Sequence, residues 1–268
     1  MSRIEAAFRK AGEQGRAAFV PYITAGDPSP ERTASLVVAL ERAGADVVEL
    51  GVPFSDPLAD GPVNQRAAQR ALAAGTTLEG VLGMVAAMRK DISVPLVLFT
   101  YFNPLHRMGL DRFAAAAAAA GVDGVLVTDL AVDEAADYLA PMRRAQVDTI
   151  FLAAPTSGTE RAVRVARESR GFLYYISRTG VTGDPQDLSV TLEDEVQSIR
   201  QRVDLPVAVG FGISTPEQVR QVAQLADGVV VGSALVAHIE KHGLAEDLPG
   251  RLQQFASVLA ASTRWEGG

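Results

Sequence analysis

The sequence has no cysteine in its 268 residues. That removes disulfides, thiolate nucleophiles, cysteine-ligated zinc and iron-sulfur clusters together. Lysine is nearly as scarce, since Lys10, Lys90 and Lys241 are the only three and each falls on a helix or a helix end. A Schiff-base mechanism therefore has no nucleophile at a strand end. The three histidines, His106, His238 and His242, are not grouped with carboxylates at metal-ligand spacing, and the last two read as the solvated face of a polar helix end. No metal and no cofactor is expected in this chain. There is no G-x-G-x-x-G after the first strand-like run and no Walker-type lysine, so nucleotide cofactors are not indicated. No apolar run approaches the roughly 18 to 20 residues of a membrane helix; the longest candidate, Phe113 to Ala120, is an alanine tract flanked by Asp111, Arg112 and Asp123. The first residues lack the apolar stretch of a signal peptide, which points to a cytoplasmic location. With a net charge of -7 and no basic stripe, nucleic acid is not expected as a partner.

What the chain does have is alternation. Hydrophobic residues make up 48% of it, and short β-branched runs alternate with helical patterns along its whole length. Strand-like runs fall at Ala18 to Thr24, Asp46 to Leu50, Pro95 to Phe99, Gly124 to Thr128, Thr149 to Ala153, Phe172 to Ile176, Val207 to Val209 and Gly228 to Val231. Helical patterns lie between them. Continuous apolar strands such as Gly228 to Val231 suit a parallel sheet covered on both faces. Eight such units predict a single α/β domain over 1–268, a (β/α)8 TIM barrel. An extra N-terminal helix (Ile4 to Glu13) and a short helix after the eighth strand (Ala234 to Ile239) complete it. Three connections look long, Gly51 to Gly75, Thr100 to Leu110 and Ser177 to Thr191, and each follows a strand, on the face where barrels place their chemistry.

Glu49 lies inside the second strand between Val48 and Leu50. Alternation turns it into the barrel if its neighbours face the helices. An inward carboxyl is either a plug satisfied by nearby hydroxyls or amides, or a group whose raised pKa suits acid-base work near neutral pH. Asp56 and Asp60 follow in a proline-rich loop, where aspartates serve as turn formers and helix caps as well as functional groups. Gly210-Phe211-Gly212-Ile213-Ser214 and Gly232-Ser233 end the seventh and eighth strands, the places where barrels bind phosphate with backbone N–H groups. The same glycines can serve as tight turns, with Ser214 or Thr215 and Glu217 capping a helix. Arg178 to Asp184 fits a mobile lid or an ordinary exposed loop. The chemistry left is carboxylate acid-base catalysis on a small phosphorylated substrate.

The run Leu50-Gly51-Val52-Pro53-Phe54-Ser55-Asp56-Pro57-Leu58-Ala59-Asp60-Gly61-Pro62, with Glu49 before it, resembles the signature of the tryptophan synthase alpha family. Pro21 to Pro28, Tyr101 to Pro104, Ser177 to Gly183 and Gly210 to Ser214 resemble that family too, so the likeness covers essentially the whole chain. It implies a lyase that cleaves indole-3-glycerol phosphate to indole and glyceraldehyde 3-phosphate without lysine or metal. It also implies roles. Glu49 would be the general acid-base, Asp60 would pair with the indole N–H, and Tyr174 would orient Glu49. Phosphate would be held at Gly183, Phe211, Gly212, Gly232 and Ser233, and indole by Tyr22, Leu126 and Phe211. The implied partner is a pyridoxal-phosphate-dependent β subunit in an α2β2 assembly, which receives indole for L-tryptophan synthesis, with Asp56, Pro57 and Thr182 in communication between subunits. Two positions depart from the family pattern, Tyr22 where phenylalanine is frequent and Ala131 where proline is. Two other readings stand beside this one: a different phosphate-binding barrel lyase or isomerase, and a non-catalytic regulatory subunit.

Overall fold

The computed structural model describes residues 1–154, 158–176, 185–210 and 212–265, with the backbone alone for 185–191. Its parallel strands are β1 (Ala18–Thr24), β2 (Val48–Gly51), β3 (Leu96–Thr100), β4 (Gly124–Val127), β5 (Asp148–Ile150), β6 (Leu152–Ala153), β7 (Leu173–Ile176), β8 (Val207–Gly210) and β9 (Gly228–Val231). Hydrogen bonding runs in the order β5-β4-β3-β2-β1-β9-β8-β7-β6. Because β5 and β6 are consecutive pieces of one stave interrupted at Phe151, the ring closes through the chain itself. The expected eighth-fold barrel is thus present, with nine strands among the described residues because the fifth stave is split.

The helices are α1 (Arg3–Glu13), α2 (Pro30–Arg42), α3 (Pro62–Ala73), α4 (Leu78–Met88), α5 (Phe102–Met108), α6 (Leu110–Ala120), α7 (Ala136–Ala145), α8 (Gly158–Glu168), α9 (Pro185–Arg200), α10 (Pro216–Ala223), α11 (Ser233–His242) and α12 (Leu248–Ala261). Three of them correct the expected long loops. The segment from Gly51 to Gly75 contains α3, that from Thr100 to Leu110 contains α5, and α9 begins at Pro185 inside the third. Pro62 at the first turn of α3 and Pro185 at the start of α9 supply preset helical φ angles. Among the described residues, no single helix is long and apolar enough to cross a membrane.

The strands pack in two layers. Val48 and Leu50 belong to the outer core between sheet and helices, whereas Ala18, Val20, Val97, Leu126, Tyr174, Ala208 and Val230 fill the barrel's interior. The bottom is closed by α1, whose Ile4 and Phe8 join the inner core and whose Phe8 ring stacks on Phe172 with centroids 5.2 Å apart. A capping box from Ser2 and Glu5 fixes where that helix starts.

Three aspartates staple the base of the sheet by one geometry. Asp46, just before β2, donates its N–H to the Phe19 carbonyl at 2.9 Å and accepts the Phe19 N–H on its carboxylate at 2.8 Å. Asp123, before β4, makes the same pair with Leu96 at 3.0 and 2.8 Å, and Asp227, before β9, makes it with Val207 at 2.9 and 2.9 Å. Each carboxylate also meets an arginine: Arg16, Arg89 and Arg200 respectively. Charge-assisted bonds of this kind are about twice as strong as neutral ones. They lock adjacent strands in register at the end opposite the site.

Candidate active site

Glu49 is where alternation placed it. It pairs in register with Tyr22 of β1 and Val97 of β3, is 1% exposed, and its side chain lines a cavity of about 310 Å³ at the mouth of the barrel. Its Oε1 has no hydrogen-bond partner. A plug would have its oxygens satisfied, so the plug account fails on this atom. Burial alone pushes the Glu49 carboxyl up to about 8, since water is lost and no donor replaces it.

Around it, the wall is built from the strand ends and the loops after them. Tyr22, Asp60, Tyr174, Gly212, Gly232 and Ser233 all line the same cavity. Apolar surface comes from Val63, Phe99, Ile213 and Val230, with Tyr22 and Phe99 meeting edge to face at 5.2 Å. Tyr22 stands on β1 next to Glu49 and Tyr174 on β7 across the barrel, and burial pushes both phenols well above their ordinary value, with Asp60 and Glu49 adding to it at Tyr22 and Glu49 at Tyr174. They stay protonated at any working pH. Each hydroxyl reaches over a glycine of the next strand. An added Cβ at Gly51 would meet the Tyr22 hydroxyl and stand 2.7 Å from its Cζ, and one at Gly210 would meet the Tyr174 hydroxyl and stand 2.8 Å from its Cζ. Glycine at these two places gives the phenols their room.

Asp60 does not cap α3. The N-cap is Gly61, without a side-chain bond, and the half-buried Asp60 carboxylate instead accepts the Tyr101 hydroxyl at 2.8 Å. Tyr101 in turn accepts the Ala59 N–H at 3.0 Å. Desolvation raises the Asp60 carboxyl, while bonds from Tyr101 and Asn64 pull it back down. Phe54, from the same loop, lies on the Tyr101 ring at 5.2 Å. Neither Tyr101 nor Asn64 was singled out for the site by the sequence reading; the signal within reach was the Tyr101-Phe102-Asn103-Pro104 motif directly after β3.

Other expected residues separate into three groups. Gly232 and Ser233 open α11 at the cavity and Gly212 stands beside them with φ of +75°, so a helix N-terminus and a glycine turn border the space. Leu126 is fully buried in the inner core and does not line the cavity. Thr182, Gly183 and Phe211 lie outside the described residues. Asp56 and Pro57 sit away from the cavity on the exposed part of the loop, where Asp56 accepts the Ser55 hydroxyl at 2.6 Å. Ala131 is the N-cap of a short 3-10 turn, Val132–Glu134. The cap of α10 is Thr215 with Gln218, not Glu217. His238 is packed rather than solvated, its ring stacked on Phe255 at 4.7 Å.

Behind the wall, Arg70 on α3 holds the buried Asp27 with two bonds of 2.7 and 2.9 Å. It also bonds Glu240 of α11 at 2.7 Å, as Arg66 does at 2.8 Å. This clasp ties the helix after Asp60 to the helix that begins at Ser233.

A family model described as "Tryptophan synthase alpha chain" matches residues 8–263. The tryptophan synthase alpha chain of Solibacter usitatus is 52% identical over 259 residues, 97% of each chain. The crystal structure of tryptophan synthase subunit alpha from Legionella pneumophila superposes with a TM-score of 0.90 at 38% identity, over 98% of both chains. A chain in the crystal structure of the aminoacrylate-bound tryptophan synthase from M. tuberculosis gives 0.87 at 36% identity, over 98% of this chain and 100% of that one. With a full-length match and a shared barrel, the chain belongs to the tryptophan synthase alpha chain family.

Proposed function

We propose that Glu49 and Asp60 carry out the reaction that family membership assigns to this chain. That reaction is cleavage of indole-3-glycerol phosphate to indole and glyceraldehyde 3-phosphate, with indole passed to a β subunit for L-tryptophan synthesis. The observation that carries the residue assignment is the partnerless Oε1 of Glu49 on the cavity wall. A carboxyl poised at about 8 is protonated often enough to deliver a proton to indole C3, and ionised often enough to take the glycerol hydroxyl proton as the carbon-carbon bond breaks. Asp60 accepts the indole N–H and stabilises the positive charge that develops on the ring nitrogen. Tyr174 orients Glu49 from the facing strand. Tyr22 and Phe99 hold the flat ring.

The phosphate goes to the N-terminus of α11 at Gly232 and Ser233 and to Gly212, which border the cavity. Gly183 and Phe211 complete that set in this reading, and Leu126 supports the indole pocket from beneath. Pyridoxal phosphate belongs to the β subunit, and no cofactor is required here. The exposed Asp56 and half-buried Pro57, with Thr182, carry communication to the β subunit in the α2β2 assembly. The chain works as one domain over 1–268, in the cytoplasm.

Indole release from indole-3-glycerol phosphate tests the assignment, with wild type beside Glu49→Gln, each with and without a tryptophan synthase β subunit. Turnover that vanishes in Glu49→Gln supports it, and turnover that survives refutes it. Acceleration by the β subunit is the expected sign of coupling.

A further inference from the structure

We propose that the same cavity opens 1,2-benzisoxazole rings, with Glu49 as the base, an activity separate from tryptophan synthesis. The proposal rests on the reading of Glu49 and Asp60 given above. Its ground is the combination of a buried carboxylate whose Oε1 has no donor near it and a cavity of about 310 Å³ walled by Tyr22, Val63, Phe99, Ile213 and Val230, with volume enough for a fused six-five ring. Stripped of water and of hydrogen bonds, a carboxylate is a much stronger base toward a C–H bond than it is in solution. Among the described residues, no cation lines the cavity beside Glu49: Tyr22 of β1, Tyr174 of β7 and Asp60 after β2 are neutral phenols and a second carboxyl.

Benzisoxazole has the outline of indole. Its acidic C–H is at ring position 3, the position of the indole carbon that Glu49 serves, and its ring oxygen takes the place of the indole nitrogen. The Glu49 carboxylate takes the C3 proton, the C–H electron pair becomes the third bond of a nitrile, and the N–O bond breaks. Its electron pair leaves on oxygen as a phenolate. Glu49 then returns the proton to water, so no oxidant, reductant or co-reactant is consumed.

Asp60 makes the two reactions diverge. Beside an indole N–H gaining positive charge, its carboxylate stabilises; beside a phenolate oxygen gaining negative charge, it repels. An amide at position 60 offers an N–H donor in its place, so Asp60→Asn should raise ring opening while it abolishes indole release.

The experiment follows the visible absorbance of 2-cyano-4-nitrophenolate formed from 5-nitro-1,2-benzisoxazole by the purified chain at pH 9, after subtraction of the buffer rate. Glu49→Gln is expected to lose about a hundredfold or more, and Asp60→Asn to exceed wild type. A second readout needs no variant: saturating indole-3-glycerol phosphate should suppress ring opening by wild type. Ring opening equal in wild type and Glu49→Gln, or indifferent to that competitor, overturns the proposal, as does an Asp60→Asn rate as low as that of Glu49→Gln. If Glu49→Gln loses indole release while wild type shows no ring opening, this inference alone falls. If Glu49→Gln keeps indole release, the reading of the site falls with it.

Discussion

The hydroxyl of Tyr101, at the end of β3, donates to the carboxylate of Asp60 at 2.8 Å and so connects two loops 41 positions apart in the chain. Asp60 is thereby held at the cavity by a group that does not itself line it.

Removing that donor tests its worth. In Tyr101→Phe the ionised Asp60 loses a bond that favours the charged form, so its carboxyl moves up. Turnover that needs ionised Asp60 then fails at a higher pH on the acid side. The expected result is an acid limb of the kcat/KM profile displaced upward, with a loss that grows as pH falls and little change at alkaline pH. An unmoved acid limb would show that Asp60 does not depend on Tyr101.

Glu49 should cost stability as pH rises. Burial pushes its carboxyl up to about 8, from an ordinary value of 4.5. A raised acid leaves stability intact below the unfolded pKa and loses it as pH climbs from about 4.5 through 8, by several kcal/mol in all. Glu49→Gln escapes this loss. Thermal unfolding of both proteins should therefore give similar midpoints near pH 4.5 to 5 and a higher midpoint for Glu49→Gln at pH 8; a gap that stays constant with pH would refute the desolvation account.

At Gly51 the prediction concerns space. Alanine there collides with the Tyr22 hydroxyl and with ring atoms 2.7 and 2.9 Å away, so Gly51→Ala should lose about 1 to 3 kcal/mol in chemical denaturation. Tyr22→Phe in the same chain removes only the first collision. Its rescue should be partial, and full recovery would mean that the ring has freedom to withdraw.

Cutting the clasp behind the site leaves a charge stranded. Arg70→Met deprives Asp27, whose side chain is 1% exposed, of both its bonds. The expected loss is about 3 kcal/mol, toward the low end for buried pairs because Arg70 itself is partly exposed. Adding Asp27→Asn should recover part of it in urea unfolding, since an amide costs less to bury than an orphaned carboxylate.

Much of this molecule was legible in its sequence, and the rest was not for definable reasons. The strand positions follow from short continuous apolar runs and the inward turn of Glu49 from a period of two residues, and both are local information. The break at Phe151 has no such signature, because Thr149 to Ala153 reads as one apolar run. A helix start near Pro62 is legible from the possible cap at Asp60, but the extent of α3 is not, because its face is small: only Ala67, Ala68 and Ala71 are buried, among polar residues. Position alone leaves Asp60 between capping and function, and the fold removes the cap by giving its carboxylate to Tyr101 of another stave. Leu126 points inward as a period of two predicts, but depth along the strand is not local information, and the fold places it in the core and not on the cavity wall.

The three stapling aspartates at the base carry a consequence for how this barrel can change. Asp46, Asp123 and Asp227 each seize the neighbouring strand by both its N–H and its C=O at a single residue. A slip of one pair past another would break two bonds and strand an arginine. Alignment of these three strand pairs is thus set by a ruler at one end of the molecule, away from the mouth. The loops at the mouth become interchangeable parts: a new loop grafted there inherits strands that are already aligned, so substrate range can be redesigned without renegotiating the scaffold.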